Sequence, residues 1–237
     1  YGQGWDFWAA CLVIAGFAVV IGIVNALVSV ALKVNPIITT LATNFIILGG
    51  VLSWTRGHVE GTVPKWLGES VSVIGTLGPI PIPPVILLWV VLSIVLIVAQ
   101  RRTRIGHELY ATGANPVAAK LAHVRTNLVW VSAFVVSALS GAIVGVLYAG
   151  YSDSADATVG QPYLFQTITA VVVGGTSLLG GRGGYGRTIL GVLILSQLQM
   201  LLVGAGFGSE MQDTLLGVLI IVLVAFYGRE APIAARI

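Results

Sequence analysis

Phe7-Trp-Ala-Ala-Cys-Leu-Val-Ile-Ala-Gly-Phe-Ala-Val-Val-Ile-Gly-Ile-Val-Asn-Ala-Leu-Val-Ser-Val-Ala-Leu32 carries no charged side chain. About 20 apolar residues span a hydrocarbon core of about 30 Å as a helix, so this run alone is long enough to cross a bilayer. It has company. Val34–Thr55, Val85–Gln100, Thr126–Ser152, Ala157–Gly181, Thr188–Ser209 and Thr214–Gly228 are equally free of Asp, Glu, Lys and Arg. The third run is entered through a turn-rich approach, Thr76-Leu-Gly-Pro-Ile-Pro-Ile-Pro-Pro84. Seven candidate crossings result, the last of them short, at about 22 Å for 1.5 Å per residue.

The composition agrees. Of 237 residues, 57% are apolar and 9% charged, against roughly 25% charged in a soluble domain. The mean hydropathy is +0.97. Thirty glycines without a collagen period suit membrane helices, whose backbones approach closely where side chains are small. The expected fold class is all-α, a polytopic transmembrane helix bundle forming one domain over residues 1–237. A net charge of +3 is too small to point to nucleic acid as a partner. The single Cys11 excludes a disulfide framework and a cysteine metal site. Residue 1 is Tyr and no signal-peptide pattern opens the chain, so the polypeptide is expected to begin upstream.

Charge placement sets the orientation, because cytoplasmic loops collect Lys and Arg. With residue 1 outside and seven full crossings, Lys33, Arg101, Arg102, Arg104, Lys120, Arg125, Arg182, Arg187, Arg229 and Arg236 fall inside, opposed by Glu108 and Glu230. Arg56 and Lys65 fall outside with Asp6, Glu60, Glu69, Asp153, Asp156, Glu210 and Asp213. The fifth run is interrupted by Gly174-Gly175 and Gly180-Gly181, which fits a broken or re-entrant helix. A re-entrant segment would move Arg229 and Arg236 outside, so a full crossing is favoured and the C-terminus is expected in the cytoplasm.

Two polar stretches connect the runs at length. Arg56–Pro84 reads as a loop packed on the outer surface. The inner stretch, 101–127, contains Asn115-Pro116 ahead of an apolar-periodic run. Asn caps a helix, Pro suits its first position, and Gly113 allows the turn before it. A short helix over Pro116–His123 is predicted, with Val117, Leu121 and Val124 on one face. Such a helix either braces its neighbours at the interface or docks a cytoplasmic partner.

Several motifs are excluded by context. Gly181-Arg-Gly183-Gly-Tyr-Gly186 has the spacing of a dinucleotide fingerprint, but a membrane run precedes it and the required acid is missing. No Gly-Lys-Ser/Thr occurs, so any ATP belongs to another subunit. Gly141-Ala-Ile-Val-Gly145 fits a small-residue helix contact, within the bundle or between copies. None of the seven runs contains Asp, Glu, Lys, Arg or His, and His58, His107 and His123 all fall in loops. Ion-coupled carriers and intramembrane hydrolases keep such groups at membrane depth. Both are disfavoured, and no metal site is expected.

What the runs offer is neutral hydrogen-bonding groups. Asn25 and Ser29, Thr40 and Asn44, and Thr39 and Thr43 stand four apart and share helix faces. Gln166, Thr169, Thr176 and Ser177 lie in the fifth run. A hydroxyl there often bonds only its own helix, whereas the amides Asn44 and Gln166 need several partners. A path for an uncharged, hydroxyl-rich solute would use Asn25, Thr40, Asn44, Gln166, Thr176 and Ser177.

Three strings then occur in a telling order: Asn35-Pro-Ile-Ile-Thr-Thr-Leu-Ala-Thr43, Thr103-Arg-Ile-Gly-His-Glu-Leu-Tyr-Ala-Thr-Gly-Ala-Asn-Pro-Val-Ala-Ala119, and Ala170-Val-Val-Val-Gly-Gly-Thr-Ser-Leu-Leu-Gly-Gly-Arg-Gly183. From about Asn25 to Gly228 the chain resembles the membrane-spanning permeases of bacterial ribose-type (monosaccharide) ABC importers, related to the branched-chain amino acid permeases. The resemblance implies a non-enzymatic, multi-pass subunit of the cytoplasmic membrane carrying a monosaccharide or polyol. It implies partners: a second permease copy or close relative, cytoplasmic ATP-binding subunits holding the ATP and Mg, and an extracytoplasmic solute-binding protein. Members usually have about ten crossings, which implies about three before Tyr1. It further implies that Arg104, Gly113, Asn115, Pro116, Ala119, Lys120 and Arg125 belong to a coupling segment that sits on the ATPase. Branched-chain amino acids or nucleosides are the alternative cargo. The chain departs from the pattern at His123, where many sugar members have a small Gly, at Leu164 and Gln166, where they have acids, and at Arg187, commonly Gly.

Overall fold

The computed structural model describes residues 6–56, 63–72, 83–154, 156–177 and 180–227. His58, Glu60, Thr76–Ile82, Arg229, Glu230 and Arg236 lie outside them. Ten helices follow one another among the described residues: α1 (Phe7–Ala31), α2 (Pro36–Thr55), α3 (Lys65–Val71), α4 (Pro84–Arg102), α5 (Arg104–Ala114), α6 (Pro116–Leu121), α7 (Thr126–Ser152), α8 (Gln161–Val173), α9 (Tyr185–Gly204) and α10 (Ser209–Tyr227). Five of them, α1, α2, α4, α7 and α9, are long and apolar enough to cross a membrane. The fifth predicted run is shorter than expected: α8 has 13 residues and stops at Gly174. The seventh becomes α10, whose 19 residues recruit Ser209–Asp213. Leu12, Phe17, Ile46 and Leu201 stand exposed on these long helices, which suits hydrocarbon as the surrounding solvent rather than water. The protein is an all-α, multi-pass membrane helix bundle.

The chain divides into two compact units, Tyr1–Leu92 with Arg125–Val159, and Ser93–Val124 with Gly160–Ile237. In the first, α1 packs along α7 and α2. Ala18, Gly22 and Ala26, spaced by four, are buried on one stripe of α1. A Cβ at Gly22 would lie 2.7 Å from Val135 Cα, so backbone meets backbone there and only glycine fits. The small-residue motif singled out in α7 does not serve this contact. Gly141 and Gly145 have nothing within 4 Å of a Cβ position.

Within Arg56–Pro84, Lys65–Val71 form a helix: α3 packs on α7, burying Leu67 and Val71. Trp66 meets Phe7 edge-on at 5.0 Å and stacks with Trp8 at 6.3 Å. Amphipathic rings of this kind favour the membrane–water boundary. Beyond α7, Asp156 Oδ1 accepts hydrogen bonds from the Thr158 amide and hydroxyl, both at 2.8 Å. These bonds favour the carboxylate and hold its pKa below the usual aspartate value.

In the second unit, α8 packs against α9 and α10. Ala170, Leu195 and Leu216 form its buried centre, flanked by Val173, Leu198 and Leu219. Gly191 makes the α8–α9 approach possible, since a side chain there would strike the Ala170 carbonyl.

Candidate functional site

The polar stretch 101–127 folds as a helical hairpin, α5 and α6, joined by the single residue Asn115. Thr103 caps α5, its hydroxyl oxygen accepting from the Gly106 amide at 3.2 Å. Arg104 Nε pairs with Glu108 Oε1 one turn on, at 2.8 Å. An exposed i,i+4 pair of this kind adds only about 0.3–0.5 kcal/mol. Asn115 is extended, at φ −157° and ψ 102°, and so breaks α5 from α6. Its Oδ1 accepts from the Val117 and Ala118 amides at 3.0 and 3.1 Å, and Pro116 takes the first helical position. The cap is therefore as the sequence predicts.

α6 ends at Leu121, two residues before the predicted end. Lys120 stands exposed in its last turn, where a cation suits the helix C-terminus. His123 follows at φ +61°, a left-handed conformation that favours glycine. Arg125 is exposed and leads into α7, its carbonyl accepting from the Leu128 and Val129 amides. The hairpin presents Val117 and Leu121, 69% and 79% exposed, as neighbouring apolar knobs one turn apart. Ala119 is turned inward and only 4% exposed.

Gly113 has a different job from the turn expected of it. It lies inside α5, and a Cβ there would be 2.7 Å from the Gly181 amide nitrogen. Gly181 belongs to the loop between α8 and α9. Gly175, Gly180 and Gly181 in this loop all have positive φ. The Ser177 amide bonds the Arg182 carbonyl at 2.9 Å, and the Gly184 amide bonds Thr176 Oγ1 at 3.4 Å. Thr176 and Ser177 are thus loop-forming residues beside α5. Two further bonds close the arrangement. Tyr110 Oη donates to the Gly183 carbonyl at 3.0 Å, and the Tyr185 amide donates to Gln100 Oε1 at 2.8 Å. The end of α4, the α5–α6 hairpin and the α8–α9 loop therefore gather at one end of this unit, with Arg101, Arg102 and Arg182 beside them.

The other polar candidates lie on α1, α2 and α8. Asn25 is buried on α1, where its Oδ1 accepts the Thr43 hydroxyl at 2.6 Å. Thr40 is exposed, and its hydroxyl donates back to the Pro36 and Ile37 carbonyls at 3.0 and 3.1 Å. Asn44 and Gln166 are half-buried. Ser29, Ser93 and Thr112 have buried hydroxyl oxygens without a protein partner. Within the second unit Thr176 and Ser177 join the loop, and within the first Asn25 joins Thr43. Gln100 and Tyr110 are the residues that sequence reasoning missed. Gln100 left one signal, an amide closing an otherwise apolar run. Among the described residues, no three His, Cys, Asp or Glu side chains converge as metal ligands.

Residues 1–224 match the family model described as "Branched-chain amino acid transport system / permease component". The chain is 31% identical over 222 residues to the xylose/arabinose import permease protein of Sulfolobus acidocaldarius, covering 91% of this chain and 60% of that protein. It is 33% identical over 200 residues to the ribose import permease protein of Bacillus subtilis, covering 84% and 62%. It is 27% identical over 226 residues to an autoinducer 2 import system permease protein of Klebsiella pneumoniae, covering 93% and 67%. The chain thus spans about three fifths to two thirds of the length of these curated relatives. No solved structure matches it.

Proposed function

The chain belongs to the family of branched-chain amino acid transport system permease components, and on that premise we propose that it is the membrane-spanning subunit of an ATP-driven importer for a small neutral solute, a monosaccharide or polyol. The relatives named for xylose/arabinose and ribose import support that cargo. So does the absence of Asp, Glu, Lys, Arg and His from the seven charge-free runs, because a path without fixed charge suits an uncharged solute. ATP and Mg belong to cytoplasmic ATP-binding subunits, cargo affinity to an extracytoplasmic solute-binding protein, and the pore is completed by a second permease subunit, identical or related. The chain sits in the cytoplasmic membrane with its C-terminus inside.

The observation that carries this reading is the hairpin. A rigidly capped α6 holds two apolar side chains, Val117 and Leu121, out of its own unit. Exposed knobs on a short braced helix suit a groove on a partner, and closure of two ATP-binding subunits would push through them on the bundle. Arg104, Lys120 and Arg125 give the contact a basic rim, whereas Ala119 supports it from within. The pair Val117→Asp and Leu121→Asp should lower solute-stimulated ATP hydrolysis about tenfold in reconstituted vesicles, with membrane insertion unchanged. Unchanged stimulation would contradict the reading.

A second cargo class is favoured by the family's own description, the branched-chain amino acids. A zwitterion needs a helix terminus or a fixed charge along its path. Uptake of labelled sugars, polyols and branched-chain amino acids by the same vesicles decides between them. Uptake driven by a proton gradient without nucleotide would overturn both.

A further inference from the structure

Gly113 and Gly181 meet backbone to backbone, and a side chain at either would strike the other strand of chain. Around that seam, two hydrogen bonds reach across long stretches of sequence, from Tyr110 Oη to the Gly183 carbonyl and from the Tyr185 amide to Gln100 Oε1. The loop they hold is built on left-handed glycines and would be floppy if released. Tyr185 is the first residue of α9, and Gly174, just before the loop, caps α8. The α5–α6 hairpin is therefore fastened to the inner ends of two helices that pack on each other through Gly191 and Ala170.

We propose that Gln100 and Tyr110 are positioning residues that clamp the α8–α9 glycine loop to the α5–α6 hairpin, so that a push received by α6 moves α8 and α9 with it. This deepens the importer reading and rests on it. Gln100 works through its acceptor oxygen and Tyr110 through its hydroxyl. Neither touches cargo or nucleotide. Without the clamp the hairpin still docks, but its displacement is spent in the loop.

The test uses the permease co-purified with an ATP-binding subunit that it binds, in lipid vesicles with a solute-binding protein. Tyr110→Phe keeps the ring and loses one bond; Gln100→Leu loses the other; Gln100→Glu keeps an acceptor oxygen. Amide exchange over 180–188, read by mass spectrometry, should quicken about five- to tenfold in the first two variants, as loss of one net hydrogen bond allows. Stimulated ATP hydrolysis should fall by a similar factor while the basal rate stays, and Gln100→Glu should restore both readouts. Exchange that stays slow overturns the clamp. Faster exchange with full stimulation shows a structural bond only and overturns its role in coupling. A wild-type complex that shows no stimulation at all sinks the importer reading instead, and the clamp's role falls with it.

Discussion

His123 adopts φ +61° immediately after α6, a region where an L side chain crowds its own backbone at a cost of roughly 1–2 kcal/mol. The resemblance to sugar permeases implies a small glycine at this position, and the dihedral supplies the reason glycine suits it. His123→Gly should therefore raise stability by about 1 kcal/mol, seen as a higher thermal midpoint in detergent. An unchanged or lower midpoint would show that the imidazole makes compensating contacts. Other residues were legible only by half. Spacing put Asn25 and Ser29 on one face of α1, and both are buried together. It could not name Thr43 as the partner of Asn25, because periodicity reports which residues share a face and not which face they meet.

Helices show the same division. The long apolar runs were readable because hydrocarbon demands uninterrupted internal hydrogen bonding. The Asn115-Pro116 start was readable because the cap is local chemistry. α3 and α5 were not, since both are short, polar and carry glycine, and they hold their shape by packing on α7 and against the α8–α9 loop. The choice of packing stripe was equally hidden. Gly141 and Gly145 have the motif spacing yet face open space, while Gly22 meets α7 backbone on a stripe it shares with buried Ala18 and Ala26. Alanine at these two kinds of site should give effects of opposite sign. Gly141→Ala gains up to about 1 kcal/mol of helix propensity. Gly22→Ala gains the same but forces α1 off Val135, an overpacking cost of about 1–3 kcal/mol. Thermal midpoints of the two variants, compared in one detergent, check the sign.

At the scale of the whole chain, orientation follows from charge rather than from any contact. Residues 101–125 carry Arg101, Arg102, Arg104, Lys120 and Arg125 against Glu108, whereas Lys65 shares its stretch with Glu60 and Glu69, so the former stretch is expected in the cytoplasm. In a Cys11→Ser background, Lys65→Cys should react with a membrane-impermeant thiol reagent on intact cells. Lys120→Cys should react only after the membrane is opened. Both positions are exposed, so a reversed pattern would invert the molecule and remove the hairpin from any ATP-hydrolysing partner. The path for cargo was the least legible part. Its candidates are neutral side chains, and neutral side chains also build loops and tie helices together, as Thr176 and Asn25 do.

The seam between Gly113 and Gly181 has a practical corollary for anyone building hybrids of these transporters. Main chain abuts main chain there, leaving no side chain to retune when one side is replaced. A graft that imports a foreign hairpin alone inherits a mismatched joint. Exchanged as a set, residues 100–124 and 174–187 carry their own fit with them, and together they make the natural unit to swap.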